Sequence, residues 1–455
     1  MNTEMEEKWS RLGEKVEGEM RKREIPGVAL GVLYRDEIRT AGFGVTNVDH
    51  PLPVTEDTLF QIGSITKTFT GTAVMRLVEM GELELDAAVR TYLPDFKVSD
   101  ETAASRATAR HLLTHTGGWE GDFFHDTGAG DDALARYVAD MAELKQLAPL
   151  GAHFSYCNSG FAVAGYLIER VTGKSYQAAL KELVLEPLGL AHCFFDPGDV
   201  ITHRFAVGHS PGDDGPQVAR PWPLPRAVYP VGGIVCPVGD LLRYAQFHMG
   251  DGTAEGGVRL LSPDSLSQMQ STQVPVWGDR SWGLTWSLES LNGARLVRHG
   301  GGTKGQCTQL AFVPERQFAL AVFTNADGGE LLNIAVLRLA LKEYLGLDLP
   351  RPEAIEASEE ELVVYAGRYS RPFADLELGM LGGRLVGQMT VKAGFPSREV
   401  PPPPPPPPTA FALCEKDCLL ALDGPLKEMT GEVLRNPDGS IGWVRAGGRL
   451  YPRQA

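Results

Sequence analysis

Phe60-Gln61-Ile62-Gly63-Ser64-Ile65-Thr66-Lys67 opens an apolar-periodic segment and sets a hydroxyl and an amine one helical turn apart. Beyond it Phe69, Ala73, Val74, Leu77 and Val78 recur at helical spacing and Gly81 supplies a C-cap. The stretch therefore reads as a buried, central helix with Ser64 at its start. A serine hydroxyl is a poor nucleophile at neutral pH and needs a neighbour to take its proton; Lys67, three residues on and on the same face, meets that need. Backbone N–H groups left unpaired at the helix N-terminus favour the oxyanion of acyl transfer. Ser-x-x-Lys alone is a weak signal, expected by chance in roughly one or two places in such a chain, and an N-cap serine beside a solvated lysine is its bland alternative. Ser64 is the only serine here with lysine at the third position after it.

Two further motifs change the weighing. Tyr156-Cys157-Asn158 is the single Tyr-x-Asn, just ahead of a helical pattern at Phe161, Ala164, Leu167, Ile168 and Val171. A tyrosine beside a cation can relay protons between nucleophile and leaving group, and asparagine offers a donor and an acceptor to a substrate amide. His299-Gly300-Gly301-Gly302 precedes two apolar runs, Thr308 to Val313 and Phe318 to Thr324, joined by Pro314-Glu315-Arg316-Gln317 as a hairpin. Its glycines let a substrate backbone approach a strand edge, the Gly302 N–H can donate to an oxyanion, and His299 can donate or carry charge near neutral pH. The motifs are separated by roughly 90 and 140 residues, and in this order they are far less accidental together than singly.

With these residues the chain resembles the serine β-lactamase and penicillin-binding-protein superfamily, and within it the class C-like (CubicO-like) esterases and D-amino-acid peptidases. Leu112-Leu113-Thr114-His115-Thr116-Gly117-Gly118, Pro230-Val231-Gly232-Gly233-Ile234, Trp282-Gly283-Leu284-Thr285-Trp286 and Phe312-Val313-Pro314-Glu315 extend the likeness, which spans about residues 10 to 345. The resemblance implies an α+β fold, an antiparallel sheet flanked by helices plus a helical cluster. It makes Ser64 the acylated nucleophile, Lys67 its proton partner, Tyr156 the base for deacylation and Asn158 a substrate ligand, with the Ser64 and Gly302 N–H groups as oxyanion hole. Where β-lactamases usually carry Lys-Thr-Gly, this chain has His299-Gly300-Gly301. That departure favours a peptidase or esterase over antibiotic destruction, with His299 joining the catalytic network. The expected activity is hydrolysis of amides or esters through a Ser64 acyl-enzyme, favouring a short peptide or D-amino-acid amide. A broad carboxylesterase with weak β-lactamase activity, an acyltransferase, and an idle binder of cell-wall peptides are the alternatives.

Working outward, Glu6 to Lys22 reads as an amphipathic surface helix, Val28 to Leu33 and Gly42 to Val45 as paired strands, and Leu331 to Leu345 as a helix. Gly117 to Asp132 and Pro197 to Gly233 are long Gly-, Pro- and Asp-rich loops, of the kind that form sites, and Trp119 and Tyr229 in them are candidate substrate contacts. After Leu349 the composition shifts to a Pro-containing acidic linker, Pro350 to Glu361, and then to short alternating segments. We therefore expect a catalytic domain over 1–350 and a small lipocalin-like β-barrel over 351–455. The octet Pro401 to Pro408 cannot be an internal strand and is expected as an exposed polyproline loop.

The net charge of -15, without clustered Lys and Arg, argues against nucleic-acid partners. No apolar run approaches a membrane span, and Met1 to Lys8 has no signal-peptide pattern, so the chain as given reads as cytoplasmic, or exported if a leader was removed. The six cysteines form no C-x-x-C pair and read as free thiols, with Cys414 and Cys418 pairing only if strands bring them together. His111 and His115 lack the glutamate of a zinc helix and read as structural, so no metal and no cofactor is expected. The expected partner is a small-molecule or short-peptide substrate, with self-association into a homo-oligomer left open.

Overall fold

The computed structural model describes residues 3–254 and 256–454; Met1, Asn2, Glu255 and Ala455, which belong to the two expected domains, lie outside the described residues. The chain divides into two compact units, one running up to Ala87 with Thr127–Ala135 and Phe161–Leu349, the other comprising Ala88–Asp126, Arg136–Gly160 and the chain from Pro350. The C-terminal hundred residues thus group with the helical segments around Ala88–Gly160, which composition alone did not signal.

In the first unit eight antiparallel strands form one sheet: β1 Gly27–Tyr34, β2 Glu37–Gly44, β3 Val274–Trp277, β4 Arg280–Trp282, β5 Ser287–Leu291, β6 Ala294–Thr303, β7 Gln306–Val313 and β8 Phe318–Thr324. Their order is β2-β1-β8-β7-β6-β5-β4-β3. Central β8 is buried along its whole length, as an unbroken apolar run covered on both faces must be. Helices α1 (Thr3–Arg23) and α6 (Gly329–Ala340) cover one face, putting Leu12, Val16, Leu332 and Val336 against Val28, Leu30, Leu320 and Val322. Gly31 points to the other face, where a Cβ would come within 2.7 Å of Leu242 on α5 (Val238–Met249).

Helix α2 (Thr66–Glu79) lies in the interior with eleven of its fourteen residues buried, so its hydroxyls need partners inside the protein. Thr70 Oγ1 donates to the Pro230 carbonyl at 2.7 Å and meets Tyr176 Oη, and Thr72 Oγ1 meets Tyr244 Oη at 2.9 Å. Gly81 takes φ +75°, as the residue closing a helix often does.

In the second unit eight strands pair in sequence order from Gly367–Ser370 to Arg449–Pro452. The first strand meets the chain just past the last through the Tyr369–Arg453 bridge and a hydrogen bond from Gln454 N to Arg368 O at 2.8 Å, which nearly closes the sheet into a small barrel. Tyr369, Leu376, Leu385, Leu419, Val433 and Val444 fill it. Part of the acidic stretch expected as a linker is instead a helix, Glu359–Val363. Ser358 and Glu361 form a capping box, and three glutamates sit in the first turn, where the helix dipole favours them. The proline octet joins strands Arg384–Val391 and Thr409–Glu415 outside any ladder, tied by Gln388 Nε2 to the Pro406 carbonyl at 2.6 Å.

Candidate active site

Gly63–Ile65 forms a single 3₁₀ turn leading into α2, with Gly63 at φ +51°. That turn lies directly on β6. A Cβ on Gly63 would stand 2.7 Å from Gly302 N, and one on Gly301 would stand 1.9 Å from the Ile62 carbonyl oxygen and 2.4 Å from Thr308 Oγ1. The Thr308 hydroxyl donates to that same carbonyl at 2.8 Å, so two glycine-only approaches and one hydrogen bond hold Ser64 beside the His299–Gly302 strand.

Lys67 is fully buried, and its Nζ donates to Ser64 Oγ at 2.8 Å and to the Val231 carbonyl at 2.8 Å. Val231 belongs to the short helix α4 (Tyr229–Gly232), anchored through Thr70 to Pro230 O and by Ile234 N donating to Thr66 Oγ1 at 3.1 Å. The helix that opens on Asn158, α3 (Asn158–Thr172), brings the Phe161 ring centroid to 5.8 Å from Lys67 Nζ. Tyr229 is buried with its hydroxyl on Asp196 at 3.2 Å; burial and that carboxylate push its pKa well up and keep it a neutral phenol.

His299 is 4% exposed. Burial, and then the positive charge of Lys67, push its pKa down to about 3, so it is neutral at physiological pH rather than charged as the residue type alone allows. With Nδ1–H donating to Gly300 O at 2.6 Å, Nε2 is left as an acceptor. Pairing of β6 with β5 ends at Arg298, whereas pairing with β7 continues to Thr303. Along His299–Thr303, among the described residues, no strand pairs with β6 on the β5 side. This open edge runs past Ser64.

In the second unit Asn158 Nδ2 donates to Asp122 Oδ1 at 2.6 Å, and its own Oδ1 is buried without a partner among the described residues. Tyr156 is half-buried, stacked on His115 at 4.2 Å between centroids, with the Arg449 guanidinium 4.7 Å above its ring. Its N–H donates to Gly448 O at 2.8 Å, and the neighbouring Cys157 N–H donates to His115 Nδ1 at 2.8 Å. The barrel's last hairpin thus shapes the Tyr156 loop. Arg371, also from the barrel, bridges Glu120 at 2.7 Å and Asp122 at 2.8 Å, and Arg449 reaches Asp122 at 3.1 Å. Burial alone would raise Asp122, but Arg449 and Arg371 outweigh it and hold the carboxyl well below the usual range. At Glu120 burial outweighs Arg371 and the pKa rises. Trp119 is 1% exposed, its indole N–H on Ser159 Oγ at 3.2 Å and its ring edge-on to Phe96; it packs within the core and offers no face to solvent. His111 completes a helix cap with Thr108, and no group of metal-ligating side chains occurs among the described residues.

The family model named Beta-lactamase matches residues 12–342. The chain belongs to this family. It is 35% identical over 357 residues to penicillin-binding protein 4 of Amycolatopsis lactamdurans, covering 76% of this chain and 93% of that one. The structure of SurE with D-Leu superposes with a TM-score of 0.75 at 25% identity, over 98% of this chain and 99% of SurE. The octameric penicillin-binding protein homologue from Pyrococcus abyssi has a TM-score of 0.66 at 24% identity over 97% and 98%, a likeness of fold. Both matches extend through the C-terminal barrel. The protein is therefore of the β-lactamase and penicillin-binding-protein-like serine hydrolase family, with a barrel appended.

Of the expected site residues, the first unit brings together Ser64, Lys67, Gly301 and Gly302, with His299 close enough to feel the charge of Lys67. The second holds Tyr156 and Asn158 on adjoining hydrogen bonds. The sequence reading missed the Val231 carbonyl, which no side chain announces. It also missed the Asp122, Glu120, Arg371 and Arg449 cluster. Its only signals were two acids in the loop after Gly118 and an arginine after Gly447-Gly448.

Proposed function

We propose that the protein is an acyl-enzyme hydrolase in which Ser64 attacks amide or ester carbonyls. The observation that carries this is the buried Lys67 Nζ at 2.8 Å from Ser64 Oγ, for a lysine withdrawn from water beside a serine is placed for proton transfer. In the reactive protonation state the neutral amine takes the serine proton as Oγ bonds to the carbonyl carbon. The tetrahedral oxyanion is received by the Ser64 and Gly302 N–H groups, and the leaving group departs with a proton. Tyr156, as its phenolate, is the base that takes a proton from water for deacylation and becomes the neutral phenol, and the Arg449 cation over its ring stabilises the phenolate beforehand. Neutral His299 accepts through Nε2 and orients the reacting groups. Asn158, held by Asp122, binds the substrate amide, with Tyr229 on the loop side.

The favoured substrate is a short peptide or D-amino-acid amide, laid as an added strand along the open edge of β6 at His299–Thr303. SurE with D-Leu supports the D-amino-acid reading. Histidine where β-lactamases keep a lysine removes one cation for a β-lactam carboxylate. Acyl transfer to an amine or alcohol uses the same intermediate and differs only in what deacylates it. Self-association belongs to the same reading, as in the octameric Pyrococcus homologue. A panel of D- and L-aminoacyl amides, short-chain esters and a chromogenic β-lactam, run with Ser64→Ala as control, tests the proposal. D-aminoacyl amides are expected to be turned over fastest, with no turnover by the variant. Preference for the L-series or for the β-lactam would overturn the substrate assignment.

A further inference from the structure

Six cysteines are free, and two of them, Cys193 and Cys236, stand opposite one another at the base of a long loop in the first unit. Phe194 and Val235 form an antiparallel bridge in which each N–H donates to the other's carbonyl at 2.9 Å. The next pair outward on such a ladder, Cys193 with Cys236, is of the non-hydrogen-bonded kind, whose Cα atoms lie about 4.5 Å apart with side chains on one face. That spacing is inside the range a disulfide spans. Burial, and then the neighbouring Cys193 thiol, push the Cys236 pKa far up.

Cys414 and Cys418, the pair that spacing in the sequence suggests, differ. Leu413 pairs with Leu419 and Glu415 with Cys418, so Cys414 is the bulged residue and has no direct opposite. Its Sγ instead donates to the Cys418 carbonyl at 3.6 Å.

We propose that Cys193 and Cys236 are a redox modification site that forms a reversible disulfide under peroxide. Cys193 is half-buried and Cys236 fully buried, so Cys193 meets peroxide and is oxidised first. Its thiolate sulfur displaces hydroxide from the peroxide O–O bond to give a sulfenic acid, and the hydroxide takes the thiol proton as water. The Cys236 sulfur then attacks the sulfenic sulfur and expels the second water, so two thiols lose two electrons and hydrogen peroxide gains them. The bond ties the two ends of the 194–235 segment, which contains Tyr229 and the Val231 carbonyl that receives Lys67. Oxidation staples the loop that carries part of the active site.

The test treats reduced protein with hydrogen peroxide, blocks remaining thiols in denaturant and maps peptides without reduction. A Cys193–Cys236 peptide lighter by two hydrogens is expected, with the count of free thiols falling from six to four and returning to six on dithiothreitol. The peptide disappears in Cys193→Ser, a half-buried position whose substitution leaves the core intact, and in Cys236→Ser. Limited proteolysis within 197–233 slows several-fold in the oxidised wild type and not in Cys193→Ser. Oxidation of Cys193 to sulfinic acid without a cross-link, or a Cys414–Cys418 peptide alone, would overturn the assignment.

Discussion

Gly301 and Gly302 are neighbours on β6, and replacing each by alanine separates a glycine that supports the nucleophile from one beside it that has room for a side chain. At Gly301 a Cβ falls 1.9 Å from the Ile62 carbonyl oxygen, and ordinary contact begins near 3.4 Å, so the backbone ahead of Ser64 must retreat by roughly 1.5 Å. Overpacking of this kind costs about 1–3 kcal/mol. The retreat also breaks the Thr308–Ile62 hydrogen bond and leaves a buried hydroxyl unpaired, at about 1–3 kcal/mol more. Gly301→Ala should lose about 2–6 kcal/mol of stability. A displacement near 1 Å at a reacting group costs roughly 10²-fold in rate, so the surviving folded protein should acylate far more slowly. At Gly302 a Cβ meets nothing within 4 Å, and Gly302→Ala should stay within about 1 kcal/mol of wild type. The methyl projects from the face of the sheet and leaves the ladder edge open for an added strand, so acylation should also stay near the wild-type rate. Urea denaturation and the rate of fluorophosphonate labelling measure both effects. A stable Gly301→Ala that labels at the wild-type rate would refute the reasoning.

Other outcomes follow from the same geometry. Lys67→Met, which keeps the stem and removes the amine, should slow labelling of Ser64 by roughly 10²- to 10⁴-fold; stopped-flow labelling reads this directly. Arg449→Met should lower steady-state turnover by roughly tenfold while leaving the acylation burst near wild type, because its guanidinium lies over Tyr156, the base proposed for deacylation. Arg371→Leu leaves Glu120 and Asp122 buried without their shared cation and should destabilise the second unit by about 3–5 kcal/mol in thermal or urea unfolding. Burial pushes His248 down to about 3. Its folded pKa lies below its unfolded value of about 6.5, so the unfolded chain binds the extra proton, and stability complete above pH 6.5 is lost as pH falls toward 3. Unfolding free energies from urea titrations at pH 7 and pH 5 should therefore diverge less in His248→Gln than in wild type, by up to about 1.4 kcal/mol per pH unit.

Much of this was legible in residue order because the signals were local. The period of Phe69, Ala73, Val74 and Leu77 marks a buried helix, and the apolar runs of β7 and β8 around Pro314 mark a hairpin. Ser64, Lys67 and the glycines of β6 announce themselves by type and spacing. Features made by distant backbone or by charge pairing were not legible. The Val231 carbonyl that holds Lys67 has no side-chain signature, and the arginines that grip Asp122 come from 249 and 327 positions away. The charge of His299 depends on burial, which no motif encodes. The acidic run at Glu359–Glu361 looked like a linker because three like charges suggest solvent, yet Ser358 makes them the start of a helix. Cys193 and Cys236 were inconspicuous because only the Phe194–Val235 bridge puts them face to face.

The central claim is that Ser64 carries the acyl group. Intact-mass spectrometry of the folded protein mixed with a fluorophosphonate, followed by peptide mapping, measures it most directly. One adduct per chain is expected, located on Ser64, formed at the rate at which hydrolysis of an activated ester is lost, and absent from Ser64→Ala. An adduct on another residue, or a Ser64→Ala protein that hydrolyses the ester as wild type does, would contradict it.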